Sequence, residues 1–257
     1  FQIEFIVKKY STFNFILMAK GKKYIIFGAT GATGSALVHQ MYEEKKACHL
    51  IAKNKDELEN LSSTYGYSYS ICNVLNLNFI DQLVKDLNST EILGIAYCVG
   101  SINIKPFKST QAKDFISSYV LNVVSVTEII KAFQDNLKRN NGSVVLFSTV
   151  AAKRGFVNHS IISSAKAAIE GLTVSLAAEL APNIRVNCIA PSLTKSKISN
   201  FLFDNKKNIE TIQKMHPLKR LGEGKDIASL AKFLLTPENS WITGQIIGID
   251  GGRSAIA

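Results

Sequence analysis

The chain of 257 residues is 46% hydrophobic and 19% charged, with sixteen glycines and five prolines. That composition excludes a disordered chain, a collagenous repeat and a disulfide-dense miniprotein, and the length suits one large α/β domain or two small ones. Thirty Lys+Arg against twenty Asp+Glu leave a net charge of +10, which attracts anionic partners without choosing among them.

Residues 1–17, ending before Met18, read as an extension outside the fold, and residues 18–257 as a single domain. The uncharged run Tyr10–Ala19 is too short to span a bilayer, so no membrane role is expected. The four cysteines, Cys48, Cys72, Cys98 and Cys188, form no Cys-x-x-Cys pair, and no His stands at metal-ligand spacing. Free thiols in a reducing, cytoplasmic compartment are expected, with no metal.

From Lys22 onward short apolar runs alternate with helix-length segments. The predicted strands are Tyr24–Phe27, Cys48–Ala52, Ser68–Cys72, Gly94–Cys98, Ser143–Phe147, Arg185–Ile189 and Gln245–Ile249. The predicted helices between them are Gly34–Lys45, Lys55–Tyr65, Asn78–Asn88, Asp114–Arg139, Ser160–Leu180 and Lys225–Leu235. Strand and helix in alternation imply βαβ units, hence a parallel sheet covered on both faces. The irregular stretch Ser192–His216 interrupts this order late in the chain and reads as a partly helical lid over a substrate site.

The first strand runs straight into Gly28-Ala-Thr30-Gly31-Ala32-Thr33-Gly34 and then a helix. Glycines in that context permit a tight turn and let backbone N–H groups approach a pyrophosphate at the helix N-terminus. The second strand ends at Ala52-Lys53-Asn54, with no acid to hold a ribose 2′-hydroxyl. Lys53 and Lys55 offer positive charge suited to a 2′-phosphate, which favours NADP(H) over NAD(H).

Further segments carry a family resemblance: Leu121-Asn122-Val123, Gly142 to Thr149, Ser164-Ala-Lys166 to Gly171, Ile184 to Pro191, His216 to Gly222, and Trp241 to Gly252. With the glycine turn they make the chain resemble a short-chain dehydrogenase/reductase, nearest the 3-oxoacyl-[acyl-carrier-protein] reductase-like branch. The resemblance implies a Rossmann-type doubly wound parallel sheet of about seven strands and a homo-oligomer, a tetramer or a dimer. It also implies hydride transfer on a small-molecule or acyl-thioester substrate, and a cofactor site that includes Asn73, Val74, Gly100, Pro191 and Ser192. Asn73 replaces the family's usual Asp, and Pro191-Ser192 its Pro-Gly.

Carried over by position, the family's catalytic Lys is Lys166 and its Asn is Asn122. Its Ser falls at Thr149, with Ser148 beside it, and its proton-donating Tyr falls at Ile162. Threonine can replace serine as an oxygen donor, but isoleucine carries no exchangeable proton. His159 stands seven residues before Lys166, the spacing at which the enoyl-reductase branch places its Tyr, so its imidazole is the candidate substitute acid. If the helix already includes residue 159, positions 159, 162 and 166 share one face. The alternative is a catalytically impaired nucleotide-binding subunit. A nucleic-acid role is not expected, since the lysines are dispersed and no recognition motif appears.

Overall fold

A computed structural model describes residues 21–256 apart from 77, 204 and 205. The expectation that residues 1–17 lie outside the fold concerns residues beyond that range. Seven strands form one sheet: β1 (Lys22–Phe27), β2 (Cys48–Ala52), β3 (Ser68–Ile71), β4 (Glu91–Tyr97), β5 (Ser143–Phe147), β6 (Arg185–Pro191) and β7 (Ile246–Ile249). Their order is β3-β2-β1-β4-β5-β6-β7, and every pairing is parallel. The chain order reverses between β1 and β4, the crevice where doubly wound sheets bind ligands beyond their strand ends.

Eight α-helices are described: α1 (Ala32–Glu43), α2 (Lys55–Tyr65), α3 (Phe79–Asp86), α4 (Ala112–Tyr119), α5 (Ser125–Arg139), α6 (Ser160–Leu180), α7 (Lys206–Lys214) and α8 (Gly224–Leu235). Two faces of the sheet are buried, so strand residues alternate between two apolar layers rather than between core and water. In β1, Ile25 and Phe27 join Ile95, Val144 and Val186 beneath α5 and α6, which contribute Val126, Ile129, Phe133 and Ile169. Tyr24 and Ile26 instead join Ala96, Val145 and Ile189 beneath α1 and α8, which contribute Leu37, Val38, Met41, Ala228 and Leu234. The helical stretches Ala112–Arg139 and Ser160–Leu180 are long and apolar enough to cross a membrane, but both pack against the sheet and one another.

Most predicted elements are present, with shifted ends. The predicted single helix Asp114–Arg139 is instead α4 and α5 joined by a π-helical turn, Val120–Val124. That one-turn widening is held by side chains: the Tyr97 hydroxyl donates to the Leu121 carbonyl at 2.7 Å, and the Ser125 hydroxyl lies 2.9 Å from the Val120 carbonyl. The stretch read as a lid contains a 3-10 segment, Lys197–Phe203, and α7. A bridge between Thr194 and Gly222 ties its start to the segment before α8.

Candidate active site

The C-terminal ends of β1 and β4 approach so closely that only glycine fits between them. Gly28 has φ +70, and a Cβ there would sit 2.8 Å from the Cys98 carbonyl. A Cβ on Gly34, in the first turn of α1, would come within 2.2 Å of the Gly28 carbonyl oxygen. Close packing alone therefore demands two of the three turn glycines. The Gly31 N-cap has no side chain to satisfy the first N–H groups of α1, and no acid stands in its first turn. Those unsatisfied N–H groups, with Thr30, Ala32 and Thr33 around them, fit an anion such as a pyrophosphate.

At the end of β2, Lys53 is exposed, while Asn54 caps α2 by accepting the Glu57 N–H at 3.3 Å. That cap occupies the Asn54 Oδ1 and leaves its Nδ2 open toward the expected cofactor. Beyond β3, Asn73 accepts the Leu75 N–H at 3.2 Å and lines a cleft of about 250 Å³ with Cys72, Asn76, Asn78 and Gln82. Val74 is buried in the core, and its carbonyl accepts the Ser125 hydroxyl.

Three of the expected residues converge past β4. The Lys166 ammonium and the Asn122 Oδ1 lie 3.6 and 3.8 Å from where a Cβ on Gly100 would stand. Glycine at 100 keeps that space open. Asn122 is placed there by the π-helical turn and held by its Nδ2, which donates to the Ser118 carbonyl at 2.8 Å. Its Oδ1 is buried and has no hydrogen-bond partner among the described residues. An orphaned acceptor beside an ammonium fits a hydroxyl or water that bridges the two. The Lys166 ammonium donates to the Phe147 carbonyl at 2.7 Å, and burial pushes its pKa down to about 8, with no carboxylate beside it to restore the charge.

The hydroxyls at 148 and 149 diverge. Ser148 is buried, 2.8 Å from the Glu170 carboxylate and 3.1 Å from the Lys166 carbonyl, on α6. Thr149 is partly exposed and accepts only the Ala151 N–H, at 3.3 Å, so its proton remains directed elsewhere. Ile162 is buried in α6.

His159 is not inside that helix. It is the residue before it, with ψ 7, so the shared helical face is carried by α6 only from residue 160. Its Nδ1 lies 2.7 Å from the Val157 carbonyl, which can only accept, so Nδ1 carries a proton and Nε2 is left open. The ring sits 5.4 Å from Phe156 and lines a cleft of about 440 Å³ with Phe107, Ala151, Lys153 and Ser163.

Past β6, Pro191 closes the strand and Ser192 enters an unanticipated cluster. The Ser192 hydroxyl lies 2.9 Å from His216 Nε2 and accepts from Arg253 Nη1 at 3.2 Å. His216 Nδ1 donates to the Ile212 carbonyl at 2.8 Å, so Nε2 accepts and the Ser192 hydroxyl donates. The one sequence signal was serine where glycine is usual; its partners lie 24 and 61 residues away.

The chain is similar along most of its length to proteins of one family. The family profile for "Enoyl-(Acyl carrier protein) reductase" matches residues 28–254. A chloroplastic tropinone reductase homolog from Arabidopsis thaliana is 33% identical over 244 residues, 91% of this chain and 76% of that one. A short-chain type dehydrogenase/reductase from Mycobacterium ulcerans superposes with a TM-score of 0.84 at 24% identity, over 91% of this chain and 90% of that one. A gluconate 5-dehydrogenase from Burkholderia cenocepacia, in complex with NADP and tartrate, superposes with a TM-score of 0.85 at 17% identity, over 93% of this chain and 97% of that one.

Proposed function

The chain belongs to the short-chain dehydrogenase/reductase family of oxidoreductases, and we propose that it uses NADP(H) to interconvert a carbonyl and an alcohol, with His159 as the proton donor. The observation that carries this reading is the meeting of Lys166, Asn122 and Gly100 around an orphaned buried acceptor. A nucleotide-binding relic has no need to hold an unpaired ammonium in the interior, where its desolvation is costly.

Bound dinucleotide, when reduced, supplies a hydride to the carbonyl carbon. The uncapped N-terminus of α1 would hold its pyrophosphate, and the exposed Lys53 after β2 would supply the charge for the 2′-phosphate that separates NADP(H) from NAD(H). Lys166 would hold the nicotinamide ribose hydroxyls, and the partnerless Asn122 Oδ1 would accept from the same hydroxyl or a bridging water. Thr149 donates its hydroxyl to the substrate oxygen. His159, as the imidazolium with both nitrogens protonated, donates its Nε2 proton to that oxygen as negative charge develops and ends as the neutral ring whose Nδ1–H stays on the Val157 carbonyl. The partly exposed ring then recovers its proton from solvent.

Ile162 favours one other reading: a subunit that binds dinucleotide but turns nothing over. Calorimetry with NADPH and NADH, together with turnover of ketones, 3-oxoacyl thioesters and enoyl thioesters, separates the two. NADPH is expected to bind about tenfold more tightly than NADH through one charge-assisted contact, a preference that Lys53→Glu removes. Turnover is expected to fall at least 100-fold in His159→Ala, the usual scale of general acid catalysis. Tight NADPH binding without turnover of any substrate would establish the second reading.

A further inference from the structure

The cluster behind Ser192 carries charge that the fold does not neutralise. Arg253 is half-buried, and its guanidinium lies 4.6 Å above the Phe156 ring. Of its five N–H donors, one reaches the Ser192 hydroxyl at 3.2 Å and another the Met215 sulfur at 3.6 Å. Arg154 packs against it, donating from Nη1 to the Arg253 carbonyl. Among the described residues no carboxylate forms an ion pair with either arginine. Asp250 attracts Arg253 at longer range, but its two oxygens are taken by the Gly252 and Ser254 N–H groups and the Ser254 hydroxyl. Lys153, the next cation along this loop, is paired with Glu170.

A half-buried guanidinium next to a second one, with no ion-paired carboxylate among the described residues, leaves positive charge uncompensated. Burial and the Arg154 charge both disfavour the Arg253 cation, and the attraction of an incoming anion opposes them. The ring that carries Arg253 on its face also contacts His159, its centroid 5.4 Å from the imidazole. The cation and the proposed proton donor thus flank a single side chain, Phe156, which itself lines the larger cleft. The pyrophosphate turn follows β1, whereas Arg253 follows β7, four strands away in the sheet.

We propose that Arg253, supported by Arg154, binds an oxyanion on the substrate, a carboxylate or a phosphate, so that the enzyme acts on compact oxo acids or phosphorylated ketones. Ser192 and His216 position this arginine: the Ser192 oxygen accepts its N–H, and His216 accepts the Ser192 proton. The proposal names the substrate class for the reductase reading above and rests on it.

Two substrate pairs test it, each with NADPH: 4-oxopentanoate against its methyl ester, and dihydroxyacetone phosphate against dihydroxyacetone. The wild type is expected to favour the anionic member of one pair at least tenfold in kcat/KM, expressed mainly in KM. Arg253→Gln is expected to erase that preference, Arg253→Lys to keep part of it, and Arg154→Gln, at an exposed position, to reduce it about threefold. Equal turnover of charged and neutral members, or a preference that survives in Arg253→Gln of unchanged circular dichroism, overturns the proposal and leaves the reductase reading standing. Calorimetry with succinate and with inorganic phosphate gives a readout independent of turnover. Binding lost in both Arg253→Gln and Arg154→Gln supports the anion site even if no carbonyl compound is reduced, a result that would remove the reductase reading alone. Absence of binding by either anion to the wild type, with no charge preference in turnover, sinks the site.

Discussion

Ser148 and Thr149 are adjacent hydroxyls with different surroundings, and the difference can be measured. Ser148 is a partner of the buried Glu170, so Ser148→Ala leaves a carboxylate oxygen short of a hydrogen bond in the interior. A loss of about 1–3 kcal/mol in urea unfolding is expected, with dinucleotide affinity unchanged. Thr149→Val keeps the shape and removes the hydroxyl; it is expected to abolish turnover at a cost of about 1 kcal/mol or less in urea unfolding, from the lost cap on Ala151. The reverse pattern would transfer the substrate contact to Ser148. Position alone could not separate the two, because spacing assigns a residue to the strand end but not to a side of it. The same limit applies to Asn54, which caps a helix, and to His159, whose ring orientation depends on one backbone carbonyl. Lys166 allows a pH test. Its pKa of about 8 means that the ammonium is lost above that value, so NADPH binding should weaken by up to tenfold per pH unit beyond it. Lys166→Met should bind weakly at every pH from 6 to 9; a wild-type affinity that stays flat to pH 9 would remove the lysine from the ribose.

Between elements, the buried polar network joining β2, β3 and α3 sets a stability limit at acid pH. His49 on β2 is buried, with Nδ1 2.9 Å from the Ser68 hydroxyl and Nε2 3.0 Å from the Ser70 hydroxyl, and Ser70 donates to Asp86 at 2.5 Å. Burial, then the Lys23 charge, pushes the His49 pKa down to about 4, against the pull of Asp86. The folded protein keeps this ring neutral while the unfolded chain protonates it near 6.5, so the unfolded state binds the extra proton between those values. Stability should therefore fall as pH drops from about 6.5 toward 4, by about 3 kcal/mol in total from this group. Urea midpoints at pH 7.5, 6, 5 and 4.5 should slope less in His49→Gln than in wild type; parallel slopes would place the acid sensitivity elsewhere. The elements that form this network were legible from their apolar runs: β2 has its predicted limits, and β3 and α3 are present with shorter ends. The π-helical turn was not, since one residue of slip barely disturbs a 3.6-residue period. Its cause is tertiary, the hydroxyls of Tyr97 and Ser125, and it is what brings Asn122 to Lys166.

For the whole molecule, the sheet and both its cores followed from alternation of strand and helix, but the outer face of α6 calls for a partner. Toward solvent that helix presents Ser164, Ala167, Gly171, Val174, Ser175 and Ala178, uncharged as far as the exposed Glu179 near its end, and a Cβ on Gly171 would touch nothing within 4 Å. On the neighbouring α4 and the π-helical turn, Ile116, Tyr119 and Val124 are exposed as well, at 63, 47 and 41%. A net charge of +10 keeps copies apart at long range, yet it is screened beyond about 8 Å at physiological salt and leaves contiguous apolar area free to associate. Because the uncharged stripe runs along the helix axis, two copies can place α6 against α6 across a two-fold axis with small residues at the crossing, the arrangement in which each chain offers the same patch. Light scattering should then report a dimer or a tetramer at 10 μM. Gly171→Lys should shift it to the monomer, with its circular dichroism spectrum retained, because that side chain would point into open space in the single chain. Lys166 is buried on the inner side of α6 and Asn122 is buried on the π-helical turn, so dissociation should leave NADPH affinity within about threefold of wild type. A monomeric wild type, or a Gly171→Lys protein of unchanged mass, would remove this face as the interface.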